Sequence, residues 1–499
     1  MATSKLLFTL VLLFMFSITV KGEHAKVLIL GAGTAGIQAA GTLSENGFTD
    51  FLVIEGADYV GGRVKNALFD GITVGVGAQW TPVTHPEFNE KLLNAWNISG
   101  SEIDFSLAYR NSSSGLEVPE DVAGPVWEKL TAALETTAKV AQDILDNEKP
   151  DVSQRTALIK GGWIAQTPLE RVIEWLSFDY ESAESISVTS LLSSAFRNYD
   201  GLNYIIDPRG YAAMFEFMAP YLYQNDTTFN RHVRLNQRVT TIDYSGDDVV
   251  TVTCEDGSVY TSDYVFVTFH IGVFHNNLVQ FIPDLPAWKK DIIYQISSIS
   301  YTAIYLSFPE RFWENVETIL NVDERYNYYP AFINFDYFRV FPEDTHILTT
   351  HIVGDEARRI EHQSDEETKQ EIEELLQRMY GLDTPPRASE FLIHSWLRDP
   401  LHMGAYTNRP AEVQQDDLPK LQARVDRVFF GGEVTNGGRG GVGDAWESGI
   451  REATKILRCI DGEECPEYKE PTAKCECDAT ILTDKQRKNC KLATCYPYP

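Results

Sequence analysis

Val27-Leu28-Ile29-Leu30-Gly31-Ala32-Gly33-Thr34-Ala35-Gly36 runs from a fully apolar stretch straight into Gly-x-Gly-x-x-Gly, and a helix-forming segment from Ile37 to Asn46 follows. A short β-branched and leucine run without polar alternation predicts a strand buried on both faces of a parallel sheet. The glycines then have separate duties: Gly31 for the tight turn, Gly33 for approach of the backbone to a pyrophosphate, Gly36 for close packing of helix on strand. The pyrophosphate would sit on the helix N-terminus, where free N–H groups and the helix dipole favour an anion. Glu55 stands 19 residues after Gly36, at the end of a second apolar run, Phe51-Leu52-Val53-Ile54. An acid there accepts hydrogen bonds from a ribose hydroxyl. An ordinary βαβ unit with a glycine-rich turn leaves Glu55 unexplained.

Working outward, Gly61-Gly62-Arg63 follows Glu55 by six residues and offers a second close backbone approach beside a fixed cation. Towards the other end, Val428-Phe429-Phe430-Gly431-Gly432-Glu433 reads as a buried strand ending in an acid, before a glycine-rich stretch and a helix from Asp444 to Leu457. That acid, next to a helix N-terminus, suits ribityl hydroxyls and phosphate. Together these elements resemble the FAD-binding framework of the flavin-containing amine oxidase family, most closely its plant-type secreted polyamine oxidases. The resemblance spans about Lys26 to Arg458. It also rests on Gly77-Ala78-Gln79-Trp80, Phe178-Asp179-Tyr180-Glu181, Pro208-Arg209-Gly210-Tyr211, Leu235-Asn236-Gln237-Arg238-Val239, Tyr301-Thr302, Phe308-Pro309-Glu310-Arg311-Phe312-Trp313 and Trp396 with Gly404-Ala405-Tyr406.

The fold implied is α/β: a doubly wound, Rossmann-like FAD/NAD(P)-binding domain interleaved with an α+β substrate domain. Segments 23–87, 225–291 and 397–458 are expected to build the first, and 88–224 and 292–396 the second. Gly31, Gly33, Gly36 and Gly62 would form the cradle. The resemblance assigns Glu55 to the adenosine ribose, Arg63 to the pyrophosphate, Val239 to the adenine through its backbone, and Glu433 to the ribityl chain. It implies hydride transfer from a C–N bond to flavin N5, with reoxidation by O2 to give H2O2; the partners are a small amine and O2.

At the reacting end the chain departs from the family pattern. Relatives carry a lysine two residues beyond the tyrosine matching Tyr301, holding a water against N5; here that residue is Ala303. An acid expected two residues after Trp80 is Pro82, and a ring-stacking tyrosine before the last helix is Gly441. Glu181, Tyr301, Trp396 and Tyr406 remain as pocket residues, with Glu181 matching a family acid and Tyr406 an aromatic on the amine path. Two readings stand: an oxidase acting on a polyamine or another amine, and a catalytically impaired descendant that keeps FAD as a binding or structural protein.

Composition fits this picture. The 499 residues are 43% hydrophobic and 23% charged, which suits a globular chain with a large core. A formal net charge of −29 argues against nucleic acid and anionic membrane surfaces as partners. Lys5, an apolar stretch from Leu6 to Val20 and a small residue at Gly22 read as a secretory signal peptide over 1–22, so the mature chain is expected outside the cell. Asn97-Ile98-Ser99, Asn111-Ser112-Ser113 and Asn225-Asp226-Thr227 are glycosylation sequons. Cys459, Cys465, Cys475, Cys477, Cys490 and Cys495 crowd the segment 459–499, which reads as a disulfide-stapled extension rather than a zinc site. Cys254 falls in a strand pattern and reads as a small buried apolar side chain. No histidine pairing has metal-ligand spacing. His270 reads as structural, and Arg439 is open between a substrate carboxylate and solvent.

Overall fold

The computed structural model describes residues 22–81, 85–195, 202–222, 229–338, 345–437, 440–463 and 465–468. The signal segment, Pro82, Arg439, Asn225 and the last four cysteines lie outside the described residues.

The apolar run Val27–Leu30 is the middle strand of a five-stranded, all-parallel sheet. The strand order is Val233–Arg234, Phe51–Ile54, Val27–Leu30, Tyr264–Val267 and Val428–Phe430. All four side chains of the middle strand are at 0% exposure, because each face meets its own layer. Val27 and Ile29 face a core that also holds Ile37, Ala40 and Leu43 of helix Thr34–Glu45 and Trp446, Ala453 and Ile456 of helix Val442–Ile460. Leu28 and Leu30 face a second five-stranded sheet through Ile242, Val250, Val252 and Cys254. That sheet runs in the order Glu23–His24, Val259–Ser262, Val250–Cys254, Val239–Asp243, Gln280–Ile282.

A seven-stranded sheet forms the other half: Glu390–Ser395, Tyr301–Ser307, Ile347–Val353, Ala331–Asn334, Thr318–Val322, Leu107–Asn111 and Leu116–Glu117. Its pairings are antiparallel except Leu107–Asn111 on Thr318–Val322. Segment 88–224 thus supplies the last two strands. Helix Glu120–Asp146 runs through Pro125.

Several residues pack across the expected segments. Phe88, Leu92 and Ile98, and again Tyr211, Met214, Phe215 and Met218, pack in the core of Val27 and Ile29 rather than with the substrate half. Ile292, Ile293 and Ile296 belong with Leu28 and Leu30. Conversely Phe69, Ile72 and Val74 pack against Tyr305, Ile333 and Phe335 of the large sheet. A short amphipathic element shows in sequence that it has an apolar face, but not which layer that face meets.

At the chain's far end Cys459 and Cys465 are joined as a disulfide, with Cα atoms 5.1 Å apart. Cys254 is free and buried, and burial pushes its thiol up to about 12. Among the described residues no helix is long and apolar enough to cross a membrane.

The contact of Gly36 with the turn is the tightest in the first unit: a Cβ on Gly36 would lie 1.9 Å from the Gly31 carbonyl oxygen. Gly36→Ala should therefore push the helix off the strand, cost about 2 kcal/mol or more, and strip bound flavin. A variant with unchanged thermal midpoint and flavin content would contradict this packing.

Candidate active site

One cavity of about 1230 Å³ runs along the junction of the two halves. Gly31, Gly33, Glu55, Gly62, Arg63, Val239 and Glu433 line one end, and Tyr301, Trp396, Tyr406 and Glu181 the other. Gly36 lies behind the wall, where its role is packing.

At the first end, Gly31 has φ +113° and a Cβ there would meet Thr268 Oγ1 at 2.3 Å, so only glycine makes this turn. Gly33 bridges Gly61, and a Cβ on Gly62 would press on Gly33 Cα at 3.3 Å. The two glycine turns therefore lie back to back and bare their backbones. Helices Thr34–Glu45 and Val442–Ile460 both begin at the cavity without a side-chain cap, which leaves first-turn N–H groups for phosphate oxygens. Glu55 is buried; its Oε2 accepts from Ala32 N at 2.6 Å and its Oε1 from Ala57 N at 2.7 Å. Burial holds its carboxyl above the usual range, against those two bonds, and each oxygen keeps a lone pair for a ribose hydroxyl. Arg63 Nη1 donates to Glu433 Oε1 and to Ala405 O, both at 2.8 Å, while Thr407 Oγ1 donates to Glu433 Oε2 at 2.6 Å. Glu433 thus fixes the Arg63 guanidinium. Val239 opens a strand whose ladder slips between Val239 and Thr241, and its backbone neighbours Gln237 and Arg238 share the wall.

At the second end, helix Pro168–Glu174 widens into a π-turn over Trp175–Asp179 that delivers Tyr180 and Glu181 to the cavity. Glu181 is exposed; its carbonyl accepts from Tyr406 Oη at 2.6 Å. The Tyr406 ring lies 5.9 Å from that of Tyr301 and against Gly440, next to Gly441 at the mouth of the last helix. Trp396 is buried and donates to Val76 O at 3.0 Å. Ala303 is buried beside Tyr305, paired across the sheet with His351 on one side and His394 on the other. His270 Nδ1 lies 2.9 Å from His402 O, and burial with the nearby Arg63 charge keeps the ring neutral. Among the described residues no group of acids, histidines or cysteines is arranged to hold a metal ion.

The model of flavin-containing amine oxidoreductases matches residues 34–457. Polyamine oxidase 1 of Zea mays is 34% identical over 472 residues, 88% of this chain and 92% of the relative. The chain belongs to the flavin-containing amine oxidase family. Polyamine oxidase 7 of Oryza sativa subsp. japonica is 33% identical over 443 residues, 82% of this chain and 90% of its own length. A solved structure of a putrescine oxidase triple mutant, from a redesign of cofactor binding, superimposes with a TM-score of 0.71 at 18% identity, covering 88% of this chain and 100% of the other. That likeness bears on the fold.

As a member of this family the protein is a polyamine oxidase-like, FAD-dependent oxidoreductase. The glycine cradle, the two uncapped helix starts and the Arg63–Glu433 pair fit FAD. Sequence reasoning missed three residues of this amine oxidase's cavity. Tyr180 was legible as part of a matching stretch but carried no role. His351 comes from a strand whose pattern gives no sign that it faces a cavity, and only cross-strand register brings it there; Glu317 comes from the bend just before strand Thr318–Val322. Glu317 is buried at the cavity wall, with its Oε2 accepting from Asp104 N at 2.9 Å, and burial pushes its carboxyl up to about 7. Asp179, at the end of the π-turn, is likewise pushed up to about 7 by burial.

Two outcomes follow for this oxidase. Glu55→Ala removes the carboxylate that orders the first turn and faces the ribose, so flavin should dissociate roughly tenfold to a hundredfold more readily; unchanged flavin retention on dialysis would refute the assignment. Asp179 and Glu317 hold protons more tightly folded than unfolded, so their stabilising effect is complete below about pH 4 and is lost as pH rises towards 7. Asp179→Asn should flatten the fall in thermal midpoint over that window, and a slope identical to wild type would exclude Asp179 as its source.

Proposed function

We propose that this protein is a secreted polyamine or related amine oxidase. The observation that carries the reading is the single cavity joining the FAD cradle at Gly31 and Gly33 to the aromatic wall at Tyr301, Trp396 and Tyr406. When bound, FAD supplies the two-electron acceptor for the C–H bond next to nitrogen and is returned to its oxidised form by O2. The chain's own residues bind, orient and exclude water. Arg63, held by Glu433, fixes a positive charge at the phosphate-facing end. Tyr406 and Trp396 flank the carbon chain of the amine. Glu181, exposed at the mouth, is placed to attract a distal ammonium, and the net charge of −29 draws cations towards it. Signal peptide 1–22, the sequon at exposed Asn97 and the Cys459–Cys465 disulfide support export.

A second reading is favoured by Ala303, whose methyl offers no donor to a water, and by Gly441, which has no ring to stack. In it the protein holds FAD but does not oxidise amines. Anaerobic addition of spermidine, spermine and a panel of other amines to the purified flavoprotein separates the two. Bleaching of the flavin band by any of them supports the oxidase, and an unbleached flavin throughout leaves the binding-protein reading standing.

A further inference from the structure

His351 takes no part in the assignments above, yet it is buried in the cavity wall, on the strand paired with Tyr301 and Ala303. Its Nδ1 lies 2.7 Å from the Tyr180 hydroxyl, and its Nε2 lies 3.4 Å from Thr349 Oγ1. The Thr349 hydroxyl donates to Ile304 O at 3.0 Å. That last bond sets a direction. The Thr349 proton is committed to a carbonyl, so its oxygen is left to accept from His351 Nε2–H. Burial pushes the imidazole down to about 3, so the ring is neutral and carries one proton. With that proton on Nε2, Nδ1 is an acceptor, and Tyr180 O–H donates to it. The rings of Tyr180 and His351 lie parallel, 8° apart, and the Tyr301 ring sits 5.3 Å from His351. The Tyr180 proton therefore runs towards His351, and the Tyr180 oxygen, in the cavity wall, is left to accept.

We infer that His351 is a specificity-determining positioning residue: it locks the Tyr180 hydroxyl as a hydrogen-bond acceptor and so selects amines whose reacting nitrogen carries N–H. The inference rests on the amine-oxidase reading above. A nitrogen that assists loss of hydride from its neighbouring carbon must be unprotonated, since a protonated one has no lone pair to give. A neutral primary or secondary amine still offers N–H to this wall; a neutral tertiary amine offers none. The opposite tautomer of His351 would turn the Tyr180 proton into the cavity and reverse the preference.

The test measures binding of spermidine and of its analogue methylated at the secondary nitrogen to the FAD-loaded protein under anaerobic conditions, by perturbation of the flavin spectrum. Wild type should bind spermidine about threefold to tenfold more tightly than the analogue. His351→Leu and Tyr180→Phe should each abolish most of that preference, and the double variant should lose no more than either alone. His351→Gln, whose amide can accept from Tyr180 and donate to Thr349, should restore it. Flavin absorbance confirms that each variant is folded. Equal discrimination in wild type and His351→Leu, a wild-type preference for the methylated analogue, or binding of neither compound overturns the inference. Discrimination in binding with no flavin reduction would leave this inference standing and remove the oxidase reading instead.

Discussion

The approach of Gly36 to the carbonyl of Gly31 is the contact on which the rest of the molecule depends. It sets the first helix against the first strand with no side chain between them. That closeness aims the helix N-terminus at the cavity and lets the last helix, Val442–Ile460, lie against the first through Gly449, where a Cβ would sit 2.5 Å from Ala35 O. Two helix starts thereby open on one cavity, where N–H donors from both ends of the chain would meet a dianionic pyrophosphate. A methyl group at Gly36 would spread this arrangement apart.

The Arg63–Glu433 pair applies the same economy to charge. Glu433 is buried and would be costly alone, but Arg63 and Thr407 satisfy both its oxygens. Arg63 also reaches Ala405 O, next to Tyr406. The ion pair therefore ties three distant segments together at the meeting point of cofactor and substrate ends. Its partly exposed arginine keeps the attraction moderate; its larger effect is to hold the guanidinium in one place.

At the reacting end the histidines and phenols of the wall are neutral. His351 and His270 are kept uncharged by burial, and the Tyr180 and Tyr301 phenols are held well above their ordinary range for the same reason. A charged lysine in place of Ala303 would stand in this low-dielectric sheet face between two histidines. The chain instead sets the Tyr180 hydroxyl against His351. Such a wall favours the unprotonated amine, the form able to release hydride.

Much of the cofactor half was legible in the sequence, because its duties rest on local spacing. Strand, glycine turn, helix and acid are consecutive, and the backbone geometry that requires Gly31, Gly33 and Gly36 acts over a few residues. The strands at Phe51–Ile54, Tyr264–Val267 and Val428–Phe430 were likewise marked by unbroken apolar runs. The tertiary structure decided what spacing does not encode. It set which layer each amphipathic segment covers, so Tyr211–Met218 went to one half and Phe69–Val74 to the other. It also set which residues of paired strands share a face. Ala303 reads in sequence as a loss, but register places His351 beside it, and side-chain direction in a sheet is fixed by the partner strand as much as by the strand itself.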